Sequence, residues 1–202
     1  MWGLVQDGSI TKIINKPRSM VIGDVRYSRK IFELWSKSEL EAKGIYEVEF
    51  DNTNKKDEQW YINTNQSFAF AGGKITASYG SATAKAHADT LFTAQDETDG
   101  KGTEGEVKTR GLKYNLIQTI KKQAAGILQD TDWYIVRKAD AGTAVPSSIT
   151  THRAAVRTKA AEQETAITTA ADTPALETLF TYTEQEDKSV TRPLGELPIL
   201  ES

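Results

Sequence analysis

The stretch FAFAGGKITASY, residues 68–79, carries the clearest fold signal in this chain of 202 residues. On both sides of its centre, apolar side chains alternate with small or polar ones, as a half-buried β-strand requires. Gly72 and Gly73 separate the two halves and supply the positive φ angles that a two-residue hairpin turn needs. The stretch therefore predicts an antiparallel hairpin, and similar patterns at residues 2–14 and 21–27 predict two more.

One short helix interrupts these predicted strands. The sequence SKSE at residues 36–39 is a capping box, in which the first hydroxyl and the last carboxylate satisfy each other's backbone amides. Gly44 is a natural stop for such a helix. Alternation at residues 46–50 predicts a further strand, so residues 32–50 are expected to form a strand end, a helix and a strand.

The composition of the chain changes near residue 90. Residues 90–106 contain five acidic residues, one lysine and three glycines, which favours a solvated linker. Because the chain beyond it has helical periodicity, the predicted fold class is α+β, with a β-rich N-terminal domain of hairpins and one short helix, followed by a small helical C-terminal domain. The predicted boundaries are 1–89 for the β-rich domain, 90–106 for the linker, 107–182 for the helical domain and 183–202 for an extended acidic tail.

Four helices are predicted in the C-terminal domain. Apolar residues recur on one face between Leu112 and Leu128. A second helix begins near Asp132, which can cap it, and a third follows Pro146, with one of the next two serines as its cap. A fourth helix opens at Thr173. The inner face of the third helix is marked by Ile149, Val156, Ala160, Gln163 and Ile167.

Composition excludes several kinds of chemistry. Without cysteine, the chain forms no disulfides, thiolate zinc sites or iron–sulfur clusters, and thiol catalysis is impossible. Its two histidines, His87 and His152, have no second ligand at metal-binding spacing. Nucleophile elbows, phosphate-binding loops and calcium loops are absent from the sequence. We therefore expect no enzyme activity, no catalytic residue, no metal and no cofactor.

Charge argues for protein partners over other kinds. The net charge of −3 and the pI near 5.5 give no general reason to bind nucleic acid. The sequence has no apolar run long enough to span a membrane, and its N-terminus lacks the features of a signal peptide. Residues 107–170 contain ten basic and five acidic residues, whereas residues 171–202 contain two basic and seven acidic ones. Such segregation favours neutralisation within the chain or between copies of it.

Three arginines and two aromatic residues of the helical domain are candidates for partner binding. Arg153 and Arg157 lie one turn apart on the third helix, and Arg137 lies on the second. These arginines either line a solvated face, paired with nearby carboxylates, or form a docking surface for a carboxylate-bearing partner. Trp133 and Tyr134 either pack inside the domain or anchor an interface, where such residues concentrate binding energy.

Part of the helical domain resembles proteins of tailed phages. The sequence TDWYIVR at residues 131–137, a glycine-containing break, and RAAVR at residues 153–157 together resemble the C-terminal module of phage tail-assembly-chaperone and tail-fibre-assembly proteins. That family shows Asp-Trp followed by apolar residues, a short loop, and a helix with two arginines four apart. The positions that fall on this pattern are Asp132, Trp133, Arg137, Pro146, Arg153 and Arg157. Where the family usually has an aromatic residue before the first paired arginine, this chain has His152.

The N-terminal half looks like proteins encoded among the tail genes of marine tailed phages, through segments such as IFELWS at residues 31–36 and YINTNQS at 61–67. Together the resemblances imply a non-enzymatic tail protein, located in the virion and, during assembly, in the host cytoplasm. We expect a structural component, present in several copies, that docks to fibre, baseplate or neck proteins through its helical module. The expected partner-binding residues are Asp132, Trp133, Tyr134, Arg137, Arg153 and Arg157.

Two alternatives to a structural tail component remain open. One is a tail or tail-fibre assembly chaperone that leaves before the virion matures. The other is a receptor- or glycan-binding module on the N-terminal sheet, for which Trp35 and Trp60 are the test residues. For the structural component, we expect that replacing both Arg153 and Arg157 by alanine weakens partner binding and leaves thermal stability nearly intact.

Overall fold

The structure, a computed structural model, describes residues 1–200. Its chain divides into two compact units, Met1–Thr83 and Ala84–Ser202. The division comes earlier than the predicted end of the first domain at residue 89, because the residues just after Thr83 already bond within the second unit. The Lys85 carbonyl, for example, accepts a hydrogen bond of 2.6 Å from the Thr173 hydroxyl. The α+β class is confirmed, with a β-rich first unit and a mainly helical second unit.

The first unit is built around a curled sheet of five strands. The unit contains nine strands, of which β3 pairs only with β4 and β6 only with β9: β1 (Trp2–Gln6), β2 (Ser9–Ile14), β3 (Met20–Ile22), β4 (Val25–Tyr27), β5 (Ile45–Asp51), β6 (Tyr61–Ile62), β7 (Ser67–Ala71), β8 (Lys74–Ser78) and β9 (Thr83–Ala84), the last of which ends at the boundary between the units. The order in the sheet is β2-β1-β5-β8-β7, in which β5 and β8 are parallel and the other pairs are antiparallel. The three predicted hairpins are confirmed as β1/β2, β3/β4 and β7/β8.

Two short helices, α1 (Ile31–Leu34) and α2 (Lys37–Glu41), lie between β4 and β5. The capping box predicted at the start of α2 is present. The strand end expected at Phe32 is wrong, because that residue belongs to the single turn α1. Ile31 is buried there, and the Phe32 ring packs at 4.9 Å on that of Trp2. These tertiary contacts outweigh the local preference for a strand.

The second unit contains four substantial helices, as predicted, together with one short helix and four short strands. Its elements are β10 (Thr90–Leu91), α3 (Ala94–Thr98), β11 (Val107–Thr109), α4 (Leu112–Gln129), α5 (Asp132–Ala141), α6 (Ser147–Thr169), α7 (Thr173–Phe180), β12 (Thr183–Glu184) and β13 (Val190–Thr191). Pro146 itself occupies the cap position of α6, so the expected serine cap is wrong. Within residues 1–200, no helix is both long and apolar enough to cross a membrane.

The segments predicted as a linker and as an extended tail both contain short paired strands. The predicted linker 90–106 contains β10, which pairs with β11 just beyond the segment. Thr93 and Asp96 form a capping box that begins α3. Buried Asp96 also pairs with Lys108 at 2.8 Å, so this carboxylate has structural contacts. In the supposed tail, β12 pairs with β13 and Leu194 is buried. Residues 201–202 of the predicted tail lie outside the described part.

The helices α4 and α6 form an antiparallel pair that positions the candidate site. The Lys113 ammonium, near the start of α4, donates to the Thr168 carbonyl near the end of α6, at 2.8 Å. At the opposite end, Arg153 of α6 donates to the Leu128 carbonyl of α4 at 2.7 Å. All five residues predicted for the inner face of α6 are buried, together with His152. The helix α5 connects the pair at the end where Leu128 and Arg153 meet.

Candidate protein-interaction surface at the helical tip

The connection between α4 and α6, residues 130–146, is called the tip here. None of the ten residues of α5 is buried. Trp133 is 50% exposed, Ile135 43% and Val136 65%. Gly142 ends the helix in the left-handed conformation, with a φ of 69°, which glycine adopts without a steric cost. The tip therefore presents large apolar side chains to solvent on a regular helix.

Trp133, Tyr134 and Arg137 form a stacked cluster on α5. The two ring centroids are 3.8 Å apart, at an interplanar angle of 32°. The Arg137 guanidinium lies 4.7 Å from the centre of the Trp133 ring and 5.4 Å from that of Tyr134, where the negative ring faces attract it. Its Nε is buried and has no hydrogen-bond partner. The cluster brings together three of the six predicted partner-binding residues.

Arg153 joins the end of α4 to the start of α5. One terminal nitrogen donates to the Leu128 carbonyl and to the Thr131 hydroxyl, each at 2.7 Å. The other lies 2.8 Å from a carboxylate oxygen of Asp132. The Leu128 carbonyl, near the end of α4, also accepts hydrogen bonds from the Thr131 amide at 3.1 Å and the Thr131 hydroxyl at 3.0 Å, so Arg153 adds a charged donor to a carbonyl that the turn already uses. We call this set of contacts the Arg153 clamp.

The clamp changes the roles expected for two predicted residues. Asp132 was predicted to cap α5, but it is the first residue of the helix and follows the cap position at Thr131. The Arg153 side chain is only 12% exposed, because it is directed into the turn between α4 and α5. The expectation that Arg153 can be removed without loss of stability therefore conflicts with its contacts. Arg157, by contrast, is exposed on α6, as a solvated or partner-facing arginine would be.

A cavity of about 280 Å³ lies beside the first residues of the tip. It is lined by Ile127, Asp130, Thr131, His152, Ile199 and Leu200. The sequence did not indicate this cavity, because its walls come from α4, α6 and the last described residues of the chain. His152, at the position where the phage resemblance leads one to expect an aromatic residue, is 7% exposed and borders the cavity.

Other possible sites have less structural support. Within residues 1–200, no group of three or more His, Asp or Glu side chains is arranged to hold a metal ion. Trp60 is buried, and Trp35 packs on the edge of Tyr27 with ring centroids 5.5 Å apart. Neither tryptophan of the glycan-binding alternative is therefore a freely exposed aromatic platform.

Comparison of the chain with protein-family models, curated proteins and solved structures finds no significant match in any of the three. The functional interpretation of the tip therefore depends on its geometry and on the resemblance of residues 131–157. Both involve Trp133 and Arg137, which the resemblance includes and which the structure stacks on each other in an exposed cluster. They differ on Arg153, which the geometry places in an intramolecular clamp.

Proposed function

We propose that this chain is a non-enzymatic, virion-associated tail protein of a tailed phage, which docks to fibre, baseplate or neck components through its helical tip. The observation that carries the proposal is the exposure of Trp133, Ile135 and Val136 on a helix that buries none of its residues. Single exposed apolar residues are normal on protein surfaces. Two of these residues, Trp133 and Val136, are one turn apart on the same side of the helix, which favours a surface that is covered in an assembly.

The tip is also preorganised for binding. An isolated helix of ten residues is marginal in water, so contacts outside its own backbone must stabilise α5. The Arg153 clamp fixes its first turn, and stacking restricts the rotamers of Trp133, Tyr134 and Arg137. A surface that is ordered before binding loses less conformational entropy when a partner docks. Trp, Tyr and Arg are also the residues that most often dominate binding energy.

The phage context is supported by the sequence resemblance alone. Residues 131–137 and 153–157 carry it, and they include both the exposed cluster and the clamp that positions it. The inferred partners are therefore other tail proteins, with several copies of this chain in each particle. Within this proposal the tip serves as a structural joint in the tail, and its location is the virion.

Mass spectrometry of purified phage particles tests the location. We expect the chain in mature particles, at a copy number that matches a ring or a set of fibres. Its consistent absence from mature particles, together with its presence in tail-assembly intermediates, would overturn the structural role in favour of the assembly chaperone. Electron microscopy of labelled particles then shows which tail component it contacts.

A double substitution at the tip tests the docking surface. We expect Trp133→Ala with Val136→Ala to reduce binding to tails at least about tenfold, as the loss of interface anchor residues usually does. Leu34→Ala is the matched control, because Leu34 is 75% exposed on α1 in the other unit. Tails that incorporate the tip variant as well as they incorporate the control would contradict the proposal. Circular dichroism of both variants checks that they remain folded.

A further inference from the structure

The cavity beside the tip has the size of a site for one side chain. Its volume of about 280 Å³ falls just below the range of roughly 300–1,000 Å³ that is typical of small-molecule sites. Three of its lining residues, Ile127, Ile199 and Leu200, provide apolar walls. These dimensions and walls suit a single ring better than a larger metabolite.

His152 supplies a polar group on the wall of this cavity. His152 is 7% exposed, no hydrogen bond joins its ring to the described chain, and its nitrogens are not among the fully buried atoms that lack a partner, so they remain accessible. An imidazole offers a donor or an acceptor at each ring nitrogen. Because these nitrogens are accessible, a ligand hydroxyl inside the cavity can pair with one of them and replace its contact with water.

The neighbouring charges restrict the ligand further. Asp130 also lines the cavity, so an incoming carboxylate would meet a like charge. Arg153 does not offset this repulsion, since its guanidinium is engaged by Leu128, Thr131 and Asp132. The group that pairs with His152 should therefore be uncharged, and the ring that carries it should fit between isoleucine and leucine side chains.

We propose that this cavity binds the phenol ring of a tyrosine side chain presented by the protein that docks at the tip, with its hydroxyl hydrogen-bonded to His152. The inference rests on the proposed function, because it names the group by which the partner is anchored beside α5. Tyrosine combines a large apolar body with one polar end, which is why it is enriched at interfaces. Insertion of this ring adds a buried anchor next to the exposed Trp133.

Binding of p-cresol, which reproduces the tyrosine side chain, tests the cavity without a partner. Titrations of the full chain are followed by NMR at the methyl groups of Ile127, Ile199 and Leu200 and at the His152 ring. We expect p-cresol to shift these signals and to bind about fivefold more tightly than toluene, which lacks the hydroxyl, because a single hydrogen bond has a net value of that order. Equal affinities for the two probes, or no shift at these residues, would overturn the inference.

Substitution of the histidine assigns the hydroxyl contact. In His152→Phe the preference for p-cresol over toluene should disappear, whereas His152→Gln, which keeps a donor and an acceptor, should retain part of it. His87→Phe is the matched control and should behave like the unmodified chain. A preference that survives in a folded His152→Phe variant contradicts the assignment. If His152→Phe does not fold, the comparison of the two probes on the unmodified chain decides the question.

The outcome can be separated from that of the proposed function. A chain that binds to tails through its tip but shows no selective binding of p-cresol overturns the tyrosine anchor alone. A chain that binds p-cresol selectively but is absent from phage particles retains a phenol-binding cavity and loses the proposed virion role. The probe titration requires only the purified chain, so it does not depend on the identity of a partner.

Discussion

The helices α6 and α5 are neighbours along the chain, but different forces stabilise them. The helix α6 buries six residues, whose spacing of three to four keeps them on one face. On α5, Trp133 and Val136 are three residues apart and lie within about 60° of each other on the exposed side, whereas Ile135 lies on another side, so the apolar residues form no buried inner face. Polar and stacking contacts hold α5 in place instead. The aromatic content of a helix therefore does not indicate burial, whereas the regular spacing of its apolar residues does.

The strongest test of this contrast is the same substitution in both helices. Val156 of α6 is 0% exposed, whereas Val136 of α5 is 65% exposed. We expect Val156→Ala to lower the free energy of unfolding by about 2 kcal/mol, since it removes two buried carbon atoms and leaves a cavity. Val136→Ala should change it by less than about 0.5 kcal/mol. Urea unfolding followed by far-UV circular dichroism measures both, and similar losses would mean that α5 is also packed.

The next test concerns the polar contacts that hold α5. We expect Arg153→Ala to lower the free energy of unfolding by about 1.5 kcal/mol, because it leaves the Leu128 carbonyl and the Asp132 carboxylate without their cation. Arg157→Ala, one turn further along α6, should change it by less than about 0.5 kcal/mol. Arg153→Lys should recover only part of the loss, since an ammonium cannot reproduce the planar fork of donors. Equal effects of the two alanine variants would show that the contacts of the Arg153 clamp do not stabilise the fold.

Much of the fold could be predicted because its signals are local. A pair of turn residues between two alternating segments specifies a hairpin, and regular apolar spacing specifies the inner face of α6. The single turn α1 was not predictable in this way, since it depends on Phe32 meeting the Trp2 ring. Four of the five acidic residues of the segment 90–106 are exposed, as its composition predicts, but Asp96 is buried and pairs with Lys108 twelve residues later, a contact that the local composition does not indicate.

The site was predictable only where its residues are close in sequence. Trp133 and Arg137 are four residues apart on one helix, so helical geometry alone brings them together. Arg153 instead finds a backbone carbonyl 25 residues earlier, and a carbonyl has no side-chain pattern that a sequence can reveal. The cavity at His152 requires Ile199 and Leu200 to return to α4 and α6, which only the tertiary structure shows.

The smallest effect is expected at α3, a third helix that polar contacts position. Hydrogen bonds from the Lys108 ammonium and the Thr93 amide lower the pKa of Asp96 from 3.8 to about 2. Because the folded pKa is below the unfolded one, this carboxylate stabilises the fold above about pH 4, and the contribution disappears as the pH falls towards 2. Asp96→Asn keeps a capping oxygen but loses the charge, so we expect it to be less stable than the unmodified chain at neutral pH and equally stable near pH 2.

The size of this effect is limited by solvent, since the Lys108 side chain is 41% exposed. Urea unfolding of both chains at a series of pH values measures the difference, with Glu97→Gln as a control for the loss of a neighbouring exposed carboxylate. A difference between Asp96→Asn and the unmodified chain that stays constant from pH 7 to pH 2 would show that the charge of Asp96 does not stabilise α3. The pairing of β10 with β11 and the packing of buried groups would then hold the segment 90–106, and the contrast between apolar and polar support would be confined to the tip.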